Sequence, residues 1–126
     1  MELERWEWAE DATEDVFGAE RPAGPVCDQV LGIVIERLGS EEVLEIDTDS
    51  CNYATVRQPS LEALAPGDRV AIEMWHYPLT TPAPAQAHLA LAIDGEVAWE
   101  DHVPSPAEAG FVEGELAIDR DVPAGT

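Results

Sequence analysis

From Val26 onward no apolar run holds its course for long: β-branched or alternating stretches recur at roughly 8–12-residue intervals, each closed by glycine, proline or a polar turn. Val30–Arg37 ends at Gly39-Ser40, Val43–Ile46 closes at Asp47–Ser50, and Cys51–Arg57 stops at Gln58-Pro59. Leu61–Asp68 reads as an irregular crossing that finishes in a tight turn. Arg69–Tyr77, Gln86–Ile93, Val97–Val103 and Phe111–Ile118 supply further strands, with a proline-rich loop from Pro78 to Ala85. No long repeat is present. The expectation is an all-β fold, an antiparallel β-sandwich or jelly roll over residues 26–126.

Two segments fix faces. In Arg69–Tyr77, Val70, Ile72, Met74 and His76 share one side, while Arg69, Ala71, Glu73, Trp75 and Tyr77 share the other. His76 is placed as a cap on the core at the strand end. In the second segment Asp94-Gly95 marks a hairpin, for which a two-residue turn is the default. That turn would set Leu89, Leu91 and Ile93 against Val97 and Trp99 on opposite faces. A three-residue loop, Asp94-Gly95-Glu96, puts all five together and is preferred, because a one-residue slip exchanges core and solvent faces. Trp99 then belongs to the core.

The ends read differently. Residues 2–15 carry seven carboxylates interleaved with Leu3, Trp6 and Trp8, and Leu3, Trp6, Ala9, Thr13 and Val16 approximate a helical stripe. Gly18–Pro25 is a linker, so residues 1–25 form an acidic N-terminal segment and linker. Asp121–Thr126 reads as a turn leading into a strand with none following, which predicts a missing C-terminal strand and an open sheet edge.

Charge excludes more than it selects. The chain has 27 acidic residues against six arginines, no lysine, and a formal net charge of −21. Such a field repels phosphate backbones and anionic lipid surfaces, and leaves an unidentified ligand or protein as the expected partner. No apolar run reaches the ~20 residues that cross a bilayer, so no membrane insertion is expected. The first residues lack the basic and apolar regions of a signal peptide. Cys27 and Cys51 flank two strands, and a disulfide closing that loop stabilises by about 3 kcal/mol. A bridge favours an extracytoplasmic setting over the cytoplasm.

No phosphate-binding glycine loop, nucleophile elbow, HExxH, CxxC or kinase signature occurs, and lysine-dependent chemistry is excluded outright. No catalytic residue is assigned and no cofactor is required. Two constellations could still carry function. In the three-residue-loop register His88 faces His102 across the hairpin with Glu100 on the same face, a donor set for zinc, copper or nickel. Trp75 and Tyr77 point the same way at a strand end, where aromatic faces stack on sugar rings or proline-rich peptides. Asp47–Asn52 begins like a calcium loop, but Asn52 and Gln58 stand where an EF-hand needs glycine and glutamate, so an Asx-rich turn is expected.

The sequence therefore leads to a non-catalytic binding or structural module of the cell envelope or exterior. The alternatives are a metal-binding protein or metal-dependent enzyme using His88, His102 and Glu100, and a carbohydrate-binding module using Trp75 and Tyr77.

Overall fold

The computed structural model describes residues 6–9, 15–20, 27–28 and 30–126, and over these the chain is all-β, built of small antiparallel sheets. It divides into two compact units, Met1–Leu61 and Glu62–Thr126. Residues 1–5 and 10–14 of the acidic segment, and 21–25 of the linker, lie outside the described residues.

In the first unit, β1 (Glu7–Trp8) pairs antiparallel with β4 (Val56–Arg57), so a strand lies between Trp6 and Ala9, where the expected stripe has a helical turn. Ala9 is fully buried and its N–H donates to the Thr55 carbonyl. Asp15 is buried too. Its carboxylate accepts from the Tyr53 hydroxyl and the Phe17 N–H, which satisfies the charge and introduces the 3-10 turn Gly18–Glu20.

β2 (Ile33–Leu38) and β3 (Glu41–Ile46) form a hairpin in uninterrupted register, with Gly39 at φ 68° in the turn. The strand begins at Ile33, three residues later than the apolar run suggests. Asp28 explains the difference: its Oδ1 accepts from the N–H groups of Val30 and Leu31, holding them in a turn with both side chains exposed. The expected strand from Cys51 likewise shrinks to Val56–Arg57, because Asp47 organises a turn ahead of it. Asp47 Oδ1 accepts from the Asp49 N–H and Oδ2 from the Ser50 hydroxyl, so the Asx-rich turn is what forms.

Cys27 and Cys51 form a disulfide across an isolated antiparallel bridge, closing the β2–β3 hairpin into a covalent loop. Gly32 lies against it. A Cβ there would overlap the Cys51 sulfur and stand 2.7 Å from the Asp28 carbonyl oxygen, so only glycine fits.

The second unit is one long ribbon. β5 (Arg69–His76) pairs antiparallel with β8 (Gly110–Ala117), and β6 (Ala85–Ile93) pairs with β7 (Glu96–Ser105). Isolated bridges Leu64–Val122 and Leu79–Ala107 continue the same pairing beyond and between the ladders. The region before β5 is a turn at Ala65–Asp68, with Gly67 at φ 98° and the Ala65 N–H donating to Asp68 Oδ2.

This ribbon doubles back on itself. The Trp99 indole of β7 packs on Gly114 of β8, where an added Cβ would come within 2.5 Å of Nε1. Past the end of β8, Arg120 reaches the tip of the β6–β7 hairpin, donating to Glu96 Oε2 at 2.5 Å and to the Ile93 carbonyl at 3.1 Å. Val103, Ser105, Val112, Ile118 and Val122 are the buried residues of this unit. Val70, Ile72 and Met74 pair with Leu116, Gly114 and Val112 on the less exposed face of β5–β8, as the alternation of Arg69–Tyr77 requires.

The hairpin tip departs from expectation in an instructive way. The turn is the tight two-residue Asp94-Gly95, both at positive φ (54° and 76°), and not the three-residue loop. A β-bulge then shifts the register between Leu91 and Ala92, so that Leu91 pairs with Trp99 while Ala92 pairs with Val97. The extra residue, Ala98, does what the longer loop was expected to do. It returns Trp99 to the face of Leu89 and Leu91. Val97 is the exception: it pairs outward with Ala92 and is 43% exposed.

Candidate functional site

The outward face of β5–β8 carries the residues that β-alternation sends away from the core. Along β5 these are Arg69, Ala71, Glu73 and Trp75, and along β8 they are Phe111, Glu113, Glu115 and Ala117. Arg69 and Glu115 form an ion pair at one end of this face. At the other end Trp75 pairs in register with Phe111, and Tyr77 follows immediately beyond β5. Trp75 is 38% exposed, Tyr77 56% and Phe111 74%. The Trp75 and Tyr77 ring centroids are 4.2 Å apart at an interplanar angle of 67°, so the two rings meet edge to face and form a corner.

Trp75 and Tyr77 were expected together, and the structure brings them together. Phe111 joins them, and its strand, but not its partner, was legible in the sequence. Strand β8 pairs with β5 across the whole of the intervening hairpin, and no local pattern announces so distant a partner. The available signal was the even spacing of turns on either side of Asp94-Gly95, which folds the chain about that point.

Between the aromatic end and the ion-paired end, Glu73 stands directly opposite Glu113. Like charges facing each other across a ladder destabilise it. All four arginines among the described residues are matched elsewhere: Arg37 with Glu42, Arg57 with Glu7, Arg69 with Glu115 and Arg120 with Glu96. Glu73 and Glu113 have no cationic partner among the described residues.

His76 lies on the inner side of the same strand. Its ring covers Gly110, with Nε2 3.1 Å from where a Cβ would stand, and Nδ1–H donates to the Tyr77 carbonyl at 2.9 Å. That bond fixes the backbone from which Tyr77 projects.

His88, His102 and Glu100 also come together, because the bulge restores the register that the tight turn alone would have lost. His88 and His102 are direct cross-strand partners whose rings stack at 4.6 Å and 10°, and His88 Nε2 lies 3.2 Å from Glu100 Oε2. Imidazole lone pairs lie in the ring plane, so two parallel stacked rings aim them side by side and not at a common point. No group of three or more histidine, cysteine, aspartate or glutamate residues among the described residues is arranged to hold a metal ion.

A different carboxylate cluster lies on the β2–β3 hairpin. Burial lifts the Glu45 carboxyl above the ordinary carboxylate range, and the charge and hydrogen bond of Glu36 and the charge of Asp47 push the same way. No helix among the described residues is long and apolar enough to cross a membrane. Comparison with protein-family models, with curated proteins and with solved structures found no match.

Proposed function

We propose that this chain is a non-catalytic β-sandwich binding module whose contact surface is the outward face of β5–β8 around Trp75, Tyr77 and Phe111. The observation that carries the reading is the exposure of three aromatic side chains at one end of one sheet face. Apolar surface left in water forgoes roughly 25 cal/mol per Å², and aromatic side chains clustered in this way mark contact sites more often than scattered single residues do. The doubled-back ribbon, with Trp99 on Gly114 and Arg120 on the hairpin tip, supports a sandwich of jelly-roll type. The Cys27–Cys51 bridge supports a setting in the cell envelope or exterior. The net charge of −21 disfavours nucleic acid and anionic lipid as partners.

Arrays of glycans and of synthetic peptides, probed with the chain and with Trp75→Ala, Phe111→Ala and Val97→Ala variants, test this. The expected result is a signal lost with Trp75→Ala and Phe111→Ala and kept with Val97→Ala, an exposed apolar residue elsewhere. Signals equal in all four proteins, or absent from all, would overturn it. A glycan signal of this pattern would give the carbohydrate reading through Trp75 and Tyr77.

A second reading, metal binding through His88, His102 and Glu100, is favoured by the approach of Glu100 to the stacked pair. Turning the imidazoles out of their stack would direct nitrogens from both strands toward one ion. Calorimetric titration with zinc and copper tests it, and the reading predicts micromolar affinity lost in His88→Ala. No heat above dilution would contradict it.

A further inference from the structure

Resting on that reading, we propose that the outward face of β5–β8 binds an extended basic segment of a partner protein, with arginine or lysine at alternate positions. Trp75, Tyr77 and Phe111 offer ring faces and edges at one end, and Glu73 and Glu113 offer two facing carboxylates without a cation among the described residues. Aromatic rings and carboxylates together select an organic cation. The ring quadrupole attracts it from one side, and the paired acids, which repel each other while it is absent, gain by its arrival.

The corner between Trp75 and Tyr77 suits a guanidinium or ammonium head better than a flat sugar ring, which stacks best on coplanar aromatics. The face is an open sheet surface and not a closed pocket, so a chain laid across it fits better than an enclosed small molecule. Glu73, Trp75 and Tyr77 follow one another at every second residue, which on an extended backbone is about 6.7 Å per step. A second extended chain presents its own side chains at the same interval. One cation then sits among the rings and the next between Glu73 and Glu113. A second copy of this chain is a poor occupant, since each copy carries −21.

The test is calorimetric titration of the full, oxidised chain at 150 mM NaCl with two hexapeptides of equal charge, one alternating Arg-Ser and one with three arginines followed by three serines. The alternating peptide is expected to bind at least about fivefold more tightly than the block peptide. Phe111→Ala and Trp75→Ala are each expected to weaken it about tenfold, as is the double variant Glu73→Gln, Glu113→Gln. The double variant Glu62→Gln, Asp119→Asn, with the same charge loss at exposed positions beyond the opposite end of the ladder from the aromatic rings, should change it less than twofold. Circular dichroism confirms that each variant is folded, and Phe111, the most exposed of the three rings, guards against structural loss at Trp75.

Equal binding of the two peptides, or binding unchanged by Phe111→Ala, would overturn the inference and leave only attraction to an acidic protein. Dimerisation abolished by Phe111→Ala would assign the face to a second copy and overturn it as well. If neither peptide binds while an array signal depends on Trp75 and Phe111, this inference fails and the aromatic contact surface stands. If no ligand of any kind depends on those two residues, both fall.

Discussion

At Gly114 the missing side chain is what lets the ribbon close. The Trp99 indole occupies the place a Cβ would take, with three ring atoms within 3.1 Å of it, so Gly114→Ala forces the ring off its seat. Overpacking of this kind typically costs about 1–3 kcal/mol. Urea unfolding of Gly114→Ala should show a loss in that range together with a changed Trp99 environment in near-ultraviolet dichroism; an unchanged midpoint would contradict the packing. Glu45 carries a prediction of opposite sign. Its folded-state carboxyl titrates above its unfolded value, so the folded chain retains a proton that the unfolded chain has released. The stability this contributes is complete below the unfolded value and is lost as pH rises through the folded one. Glu45→Gln should therefore raise the thermal midpoint at pH 7, with the gain shrinking towards zero near pH 4. A gain independent of pH would contradict it. Neither residue's role was legible in the sequence. Glycine gives no sign of what will cover it, and Glu45 acquires its surroundings only when β2 is paired with β3.

At the scale of elements, the alternating strands Arg69–Tyr77 and Gln86–Ile93 were legible because period-2 hydropathy is a local property of the pleat. What misled was local too. Val30 and Leu31 have β-branched or apolar side chains but are captured by the Asp28 carboxylate, and a side-chain oxygen competing for backbone N–H groups does not register in a hydropathy pattern. The hairpin tip shows the same limit. Pattern reasoning required one extra residue between Leu91 and Trp99, and that was right. It placed the residue in the turn, whereas Asp94-Gly95 keeps its tight geometry and Ala98 bulges instead. Removing Ala98 should leave an uninterrupted ladder, so the deletion is expected to fold with stability within about 1 kcal/mol of the parent. Cross-strand nuclear Overhauser contacts should still join His88 to His102. Contacts joining His88 to Val103, the partner it would take if a one-residue shift persisted without Ala98, would show that Ala98 does not set the register.

At the scale of the whole molecule, acidity and a single bridge dominate. With −21 spread over 126 residues, self-repulsion weakens the folded state, and screening lengths fall from about 10 Å at 0.1 M salt to about 3 Å at 1 M. The thermal midpoint should rise between those concentrations and level off, a response that scanning calorimetry in sodium chloride reads directly; a midpoint that falls would contradict it. The same screening weakens attraction to a basic partner, so the aromatic contribution at Trp75 and Phe111 is best separated at intermediate salt. Resonance assignments of the chain titrated with the alternating Arg-Ser peptide test the proposed surface most directly. The account predicts shifts concentrated on Glu73, Trp75, Tyr77, Phe111 and Glu113, with the Trp75 indole N–H moving and the Trp99 indole N–H, held against Gly114, remaining in place. Shifts spread evenly over the acidic surface, or centred on His88, Glu100 and His102, would contradict it.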